Sequence, residues 1–461
     1  MAYTTTKTTT TGYGTRVKNS CSGVFVGILM FIAGTILLAY NECNAVKNAD
    51  AIEEMGDNLV EMSVDKVDKS FEGKLIHTTG NAVSQEELTD EDFQITAKAT
   101  KLIRSVEFYQ WYENVQEKTE SKDKFGGKEE TTTVTTYTYE KRWVDSPINS
   151  GNFNQEAVRS EQVSMHEPIS NMVVAQNCES ENFVAKNVSF GAYRLPDFFI
   201  NSINEAESYD ISLTDDQLAY FDNLVRTAYG SVGRQLKPVL TQGQVAQAPV
   251  APAVQDTTGV VAEDSVEMPT EWEPTQYEYV HVSGNMVYLG ENPGYPQIGD
   301  ARITFSIVPA ENAISIIAQV VGDTFTQYTA KNGKTRSEFA MGTKSSAEMI
   351  QAAKDANTLM TWVLRILGIL LVIGGIKGIF NIVVTLAKVI PFISTILNFG
   401  AGLVATILGL VWSLLIIVLF WIIARPVLGI ILLVIIGGII FLAVKFGKKK
   451  APKAEEVKPE A

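Results

Sequence analysis

Apolar positions cluster at the two ends of the chain and thin out between them. Gly23 to Tyr40 (GVFVGILMFIAGTILLAY) is unbroken and uncharged. About 18 such residues is the least that crosses a hydrocarbon core of about 30 Å. A cleaved signal peptide would have a shorter apolar core and a small-x-small cleavage site. Tyr40-Asn41-Glu42-Cys43 is not one, so a retained anchor over 23–40 is expected. Val46, Ala49, Ile52 and Met55 recur at helical spacing and predict a helix leaving that span over 44–67. Strand signals follow. Leu102–Glu113 and Thr131–Val144 are rich in β-branched and aromatic residues and flank Gly126-Gly127, the pattern of a long antiparallel hairpin. Ala301–Val308 and Ile314–Val321 read as further strands, and Ser345–Thr358 as a helix running into a second apolar block.

That block divides into a span over 360–377, an amphipathic or re-entrant piece over 378–396, a span over 397–423, a break at Arg425-Pro426, and a span over 427–444. Residues 1–20 are Thr-rich, lack apolar periodicity and are expected to be a disordered tail. Residues 241–275, rich in Pro, Ala, Gln and Val, read as a flexible insertion. The expected fold is a membrane protein with four transmembrane helices, one N-terminal and three C-terminal. They hold a large strand-rich α+β domain over 44–358.

Charge orients this plan. Residues 44–358 carry 25 Lys and Arg against 48 Asp and Glu, whereas residues 359–447 hold five basic residues and no acid. A domain near −23 repels nucleic acid and anionic lipid heads, which removes DNA and RNA as partners. Basic flanks stay in the cytoplasm. Lys7, Arg16 and Lys18 mark one flank, the lysine-rich tail over 445–461 the other, and an even number of spans places the domain on the far side.

Candidate chemistry is sparse. The stretch Leu75-Ile-His-Thr-Thr-Gly-Asn-Ala-Val83 resembles Tyr279-Val-His-Val-Ser-Gly-Asn-Met-Val287. This predicts two related β units with His77 and His281 at equivalent positions, each satisfied within its own unit rather than forming a site. No GxSxG, GxxxxGK[ST], HExxH or Cys/His cluster with metal spacing is present. No catalytic, cofactor or metal site is therefore expected. The absence of a carboxylate from 359–447 weighs against a cation-coupled transporter. Arg365 and Lys377 lie near the ends of the second span, where long side chains reach the lipid heads. Gly23/Gly27 and Gly374/Gly378 are GxxxG pairs that permit close helix packing and open a route to self-association.

Several blocks together resemble the transmembrane protein 43 (LUMA) family: Tyr40-Asn41-Glu42, Glu72–His77, Val106-Glu107-Phe108-Tyr109-Gln110-Trp111, Trp143 with Ile148–Phe153, and Thr361-Trp362. The fullest block is Glu291-Asn292-Pro293-Gly294-Tyr295-Pro296-Gln297-Ile298-Gly299-Asp300-Ala301-Arg302, and Arg425-Pro426 closes the series. They run in order from about 24 to 445. The insertion, the stretch Gly127–Thr131 and the surroundings of His166-Glu167-Pro168 depart from the pattern. The resemblance implies four spans, a large non-cytoplasmic domain and no established enzymatic activity. Animal members sit in the endoplasmic reticulum and inner nuclear membrane and are thought to organise membrane protein complexes. Bacteria carry relatives, and the insertion and divergent sequence favour a bacterial cell membrane. The expected role is a non-enzymatic scaffold whose partners are the bilayer and other membrane proteins. A membrane-bound enzyme and a channel are the alternatives.

Overall fold

A computed structural model describes residues 2–160, 179–240 and 277–425, except 388 and 390, with isolated positions at 431, 434 and 435. The flexible insertion, Cys178, His166, the fourth expected span and the basic tail lie outside the described residues or nearly so.

Strand β1 (Ala2–Thr11) leads into α1 (Tyr13–Asn58), a single 46-residue helix. Next come β2 (Leu75–Ser84), the 29-residue β3 (Ile95–Asp123) and β4 (Glu129–Val144). After β5 (Val188–Phe190) and helix α2 (Asp215–Leu240) the chain forms β6 (Val280–Ser283), β7 (Met286–Leu289), β8 (Ala301–Pro309), β9 (Glu311–Val321) and β10 (Glu338–Met341). Helices α3 (Ser346–Ala387) and α4 (Pro391–Ala424) follow.

A nine-stranded sheet follows the order β1-β4-β3-β8-β7-β6, and a seven-stranded sheet is built around β9-β2-β5. Alternating residues of both sheets fill one core: Ile76, Ile314, Ile316 and Ala318 meet Leu102, Val106, Ile303 and Phe305. One charged pair is sealed beside it. Arg104 donates to Asp90 at 2.7 Å, and its guanidinium lies over the rings of Phe93 and Phe183.

Among the described residues three helices are long and apolar enough to cross a membrane: α1, α3 and the Phe399–Ala424 part of α4. Helices α1 and α3 enter the domain as a pair. Ile52 and Met55 pack with Met349, Ile350 and Ala353 against Leu75 and Ile317. Tyr328 donates to Glu54 at 2.6 Å and Asn332 donates to the Lys47 carbonyl at 2.6 Å. Bundle and domain are thus joined by a continuous helical stem.

Three expectations are corrected. The N-terminal tail is not disordered: its threonines are β-branched, suit a strand, and pair along β4 from Ala2↔Thr138 to Thr11↔Glu129. The described residues of 378–396 do not form a separate amphipathic or re-entrant piece. Nothing breaks the helix after Gly378, so α3 continues to Ala387, and Pro391 opens α4 at a position where proline's missing N–H costs nothing. The two histidine-bearing stretches are not equivalent units. Gly80-Asn81 lies inside β2, whereas Gly284, at φ 55°, turns the chain between β6 and β7. The expected hairpin is present and extends much further than its aromatic half.

That extension forms an arm. Beyond Trp111, β3 and β4 leave the core and continue as polar strands with β1 as the third; β3 and β1 are mostly exposed, and β4 between them is half-buried. At its tip Arg16, buried near the start of α1, contacts Asp123 at 2.7 Å and Glu129 at 3.4 Å, and donates to the Gly127 carbonyl at 3.0 Å. Gly127, at φ 71°, has the Tyr13 ring against the space a side chain would need. Arm and helix therefore both run between the domain and the start of α1, the helix meeting the smaller sheet at Leu75 and Ile317 and the arm leaving the larger one at Trp111. Trp111 to Asp123 spans about 40 Å at strand rise, and Arg16 to Lys47 spans about 46 Å at helical rise.

Candidate functional site: a polar clamp on the membrane helices

Glu42 ends the first apolar run and Arg365 begins the second, and the antiparallel course of α1 and α3 brings them level. Arg365 donates to both oxygens of Glu42, from Nε at 2.6 Å and from Nη2 at 2.7 Å. Glu42 is 1% exposed. Its remaining capacity is used by α4, whose Trp421 Nε1 donates at 2.6 Å. The guanidinium lies 4.9 Å from the Trp362 ring centroid and 5.8 Å from that of Trp421. A bidentate arginine–carboxylate pair with a third donor is the strongest form of such a contact. Here one carboxylate joins all three helices. Arg365 was expected to reach the lipid heads; it turns inward instead, because a buried carboxylate 323 positions earlier needs a partner.

Around this pair the helix ends are tied by amides. Asn41 donates to the Thr361 carbonyl at 3.1 Å, and Asn357 to the Ala45 carbonyl at 3.1 Å. Arg425, just after α4, meets Asp50 at 3.3 Å on the exposed side. Glu42, Ala45, Val46, Ala49, Arg365, Trp421 and Arg425 line a cleft of about 140 Å³. That is well under the roughly 300 Å³ at which small-molecule sites begin. The arrangement is a clamp.

Below the clamp, glycines let α1 and α3 touch. A Cβ on Gly27 would lie 2.7 Å from the Gly375 carbonyl oxygen, and one on Gly375 2.5 Å from the Phe31 nitrogen. Gly34 and Gly368 repeat the close approach one stage nearer the clamp, and Gly378 lies over Gly27. Gly23 has open space, and Gly374 meets only the Met30 methyl at 3.1 Å. The close-packing glycines Gly27, Gly34, Gly368, Gly375 and Gly378 thus serve contacts within the chain. At the far end Ser20 and Thr385 hydrogen bond at 2.6 Å, and Tyr13 donates to the Leu386 carbonyl at 3.3 Å. Lys377 lines a cavity of about 350 Å³ there, with Asn381 and Gly402.

The motif residues of the domain converge on one end of the larger sheet. Arg302 pairs with Glu107 and lies over the Trp143 ring, which touches Tyr109 and Tyr288. Asp300, fully buried, accepts from the Tyr288 hydroxyl and from the Gln297 amide. Gly299, at φ 101°, donates its amide to the Tyr109 carbonyl. Asn292 caps the turn at Gly294, Pro293 is buried and Pro296 half-buried, while Tyr295 is 75% exposed. Gln110 holds the loop after β4 by donating to the Ser146 carbonyl and accepting from the Ile148 amide. Trp111 packs where the two domain clusters meet, under Lys141. These contacts fix loops and enclose no cleft.

The histidines lie in different sheets. His77 is buried, with Nδ1 at 2.6 Å from Glu61 and Nε2 at 2.9 Å from the Lys344 carbonyl. His281 bonds the Glu291 carbonyl at 3.1 Å. Among the described residues no three His, Cys, Asp or Glu side chains converge as a metal site. Burial raises the Glu61 carboxyl, but hydrogen bonds from His77 and Ser346 outweigh it and hold the group below its ordinary 4.5. A depressed carboxylate contributes stability that is present above its unfolded pKa and is lost as pH falls through the folded one. Acid melts between about pH 5 and 3 are therefore expected to steepen through this contact. Glu61→Gln is expected to flatten that part of the curve, measured as thermal midpoint against pH.

Comparison with known proteins agrees with this architecture. Transmembrane protein 43 of Pongo abelii is 24% identical over 453 residues, covering 96% of this chain and 93% of that protein. The Homo sapiens protein matches to the same extent. The Transmembrane protein 43 homolog of Drosophila melanogaster is 25% identical over 411 residues, covering 87% of this chain and 89% of that protein. No solved structure matches. The family model described as Transmembrane protein 43 matches residues 108–426. With its apolar helices clamped together beneath a strand-rich domain, the chain is an integral membrane protein that belongs to the transmembrane protein 43 family.

Proposed function

We propose that the protein is a non-enzymatic membrane scaffold that organises membrane protein complexes through its strand-rich domain. The domain lies on the non-cytoplasmic side, with the start of α1 and the basic C-terminal tail in the cytoplasm, of a bacterial cell membrane or, in a eukaryote, of the endoplasmic reticulum or inner nuclear membrane. The observation that carries the reading is the use to which the buried polar residues are put. Glu42, Arg365 and Trp421 lock three helices, and Glu107, Tyr109, Asp300 and Arg302 lock loops. In each case the polar groups are satisfied by one another, as in structural networks. An enzyme needs groups poised towards a substrate, and a conducting pathway needs groups facing water. The rigid stem and the long exposed arm suit a protein that holds others at a fixed height above and across the bilayer.

A photo-crosslinking residue in place of exposed Tyr295 or Phe125, activated in native membranes, tests this. The expected result is a reproducible set of crosslinked membrane proteins. Capture of lipid alone, with no protein adduct at either position, contradicts the scaffold.

A further inference from the structure

We propose that the gap between α3 and α4, at the end of the bundle away from the domain, binds the phosphate of an anionic phospholipid, with Lys377 and Asn381 as its donors.

Lys377 is a cation at membrane depth with no acid near it. Residues 359–447 hold no Asp or Glu, and neither do residues 1–41. Glu42, at the opposite end of the apolar run, is committed to Arg365 and Trp421. Lys377 is exposed, and among the described residues it has no ion pair. The glycine seam fixes its depth. Its neighbour Gly378 lies over Gly27 of α1, four residues inside Gly23, where the apolar run begins. At helical rise that is about 6 Å, within reach of a lysine side chain directed to the lipid heads. Asn381 stands four residues further along α3, on the same face and one turn nearer that end. An ammonium and an amide are thus placed together at the boundary between acyl chains and head groups. Phosphate is the acceptor-rich, negatively charged group found at that level, and basic pockets between membrane helices hold such head groups.

The packing of α4 leaves room for one. At Gly409 the two helices touch, and a Cβ there would lie 2.6 Å from the Ile373 side chain. Two turns earlier, a Cβ on Gly402 would meet nothing within 4 Å. The space of about 350 Å³ between them is lined by Gly374, Lys377, Gly378 and Asn381 of α3 and by Ala401 and Gly402 of α4. That volume is in the range of sites that hold small molecules. Glycine and alanine let the glycerol and the start of an acyl chain lie against the backbone, while the two polar side chains take the phosphate.

Charge selects the head group. The lining holds one cation, one amide and no acid. A choline or ethanolamine head group would bring a second cation with no carboxylate to receive it. A head group of net negative charge is therefore the fitting occupant. Exposed Lys18 stands at the same end, near the level marked by the Ser20–Thr385 hydrogen bond, and adds to the attraction.

The test titrates the full chain in detergent with phosphatidylglycerol and, separately, with phosphatidylcholine of the same acyl chains, counting bound lipid by native mass spectrometry. The first phosphatidylglycerol is expected to bind about fivefold more tightly than the first phosphatidylcholine, the gain from roughly one lysine–lipid charge contact. Lys377→Met is expected to abolish that preference and Lys377→Arg to keep it. Gly402→Leu fills the space without changing charge and is expected to abolish it too. Both positions are open, so the lipid-free variants should keep the parent's thermal midpoint. Millimolar inorganic phosphate, added as a soluble competitor, is expected to leave the bound lipid in place. Equal affinity for the two lipids overturns the proposal, as does a preference that survives Lys377→Met or Gly402→Leu. Displacement by inorganic phosphate also overturns it, and assigns the cavity to a soluble phosphate instead.

Discussion

Arg365→Met is expected to destabilise the purified protein by about 3–5 kcal/mol, the cost of leaving a buried carboxylate without its counter-ion. Glu42 keeps only the Trp421 donor in that variant, and at 1% exposure it cannot recruit water. The thermal midpoint should fall in detergent and in nanodiscs alike. Glu42→Leu combined with Arg365→Met removes both charges and is expected to recover most of the loss. A buried ion pair is often no better than apolar residues of similar volume. If the double variant is as unstable as the single one, the clamp acts through something other than charge compensation. Glu42→Gln is expected to lie between, because an amide keeps one acceptor oxygen for the guanidinium.

The second large effect is expected in the glycine seam. Gly375→Leu would place side-chain atoms where the α1 backbone runs, and backbone at Phe31 cannot step aside without parting the helices. Overpacking in a tight interface costs about 1–3 kcal/mol and sometimes more. At Gly375 the neighbours are main-chain atoms, so the upper part of that range or beyond is expected. Gly23→Leu is the control: the same change on the same seam, at a position with open space, should leave the midpoint within experimental scatter. Read by energy transfer between donor and acceptor dyes on α1 and α3, Gly375→Leu should also separate the helices, whereas Gly23→Leu should not.

Much of this architecture was legible in the chain. The apolar runs show α1, α3 and α4 because lipid demands length and continuity of composition. The aromatic half of the hairpin and the strands β8 and β9 follow from β-branched residues in alternation. The polar half of the arm carries no such alternation, since neither face is buried. The N-terminal strand was hidden because a threonine run becomes a strand only beside another strand, here Thr131–Thr138. The clamp was half visible. A lone acid closing one apolar run and a lone arginine opening the next are a signal for a pair, but nothing in their spacing says that the helices align them. The histidine repeat misled because nine matching residues carry no tertiary information. Gly80 is held in a strand under Phe190 and Val64, and Gly284 is free to turn.

We expect the domain and the arm tip to lie on opposite sides of the membrane, joined by α1 along one path and by the arm along the other. This is tested by a membrane-impermeant thiol reagent applied to intact cells carrying cysteine-free chain with one cysteine restored. Tyr295 in the domain and Phe125 at the tip are 75% and 85% exposed, so both positions report access without disturbing a core. Tyr295→Cys is expected to be labelled from outside, and Phe125→Cys only after the membrane is opened. Labelling of both positions from the same side would contradict it.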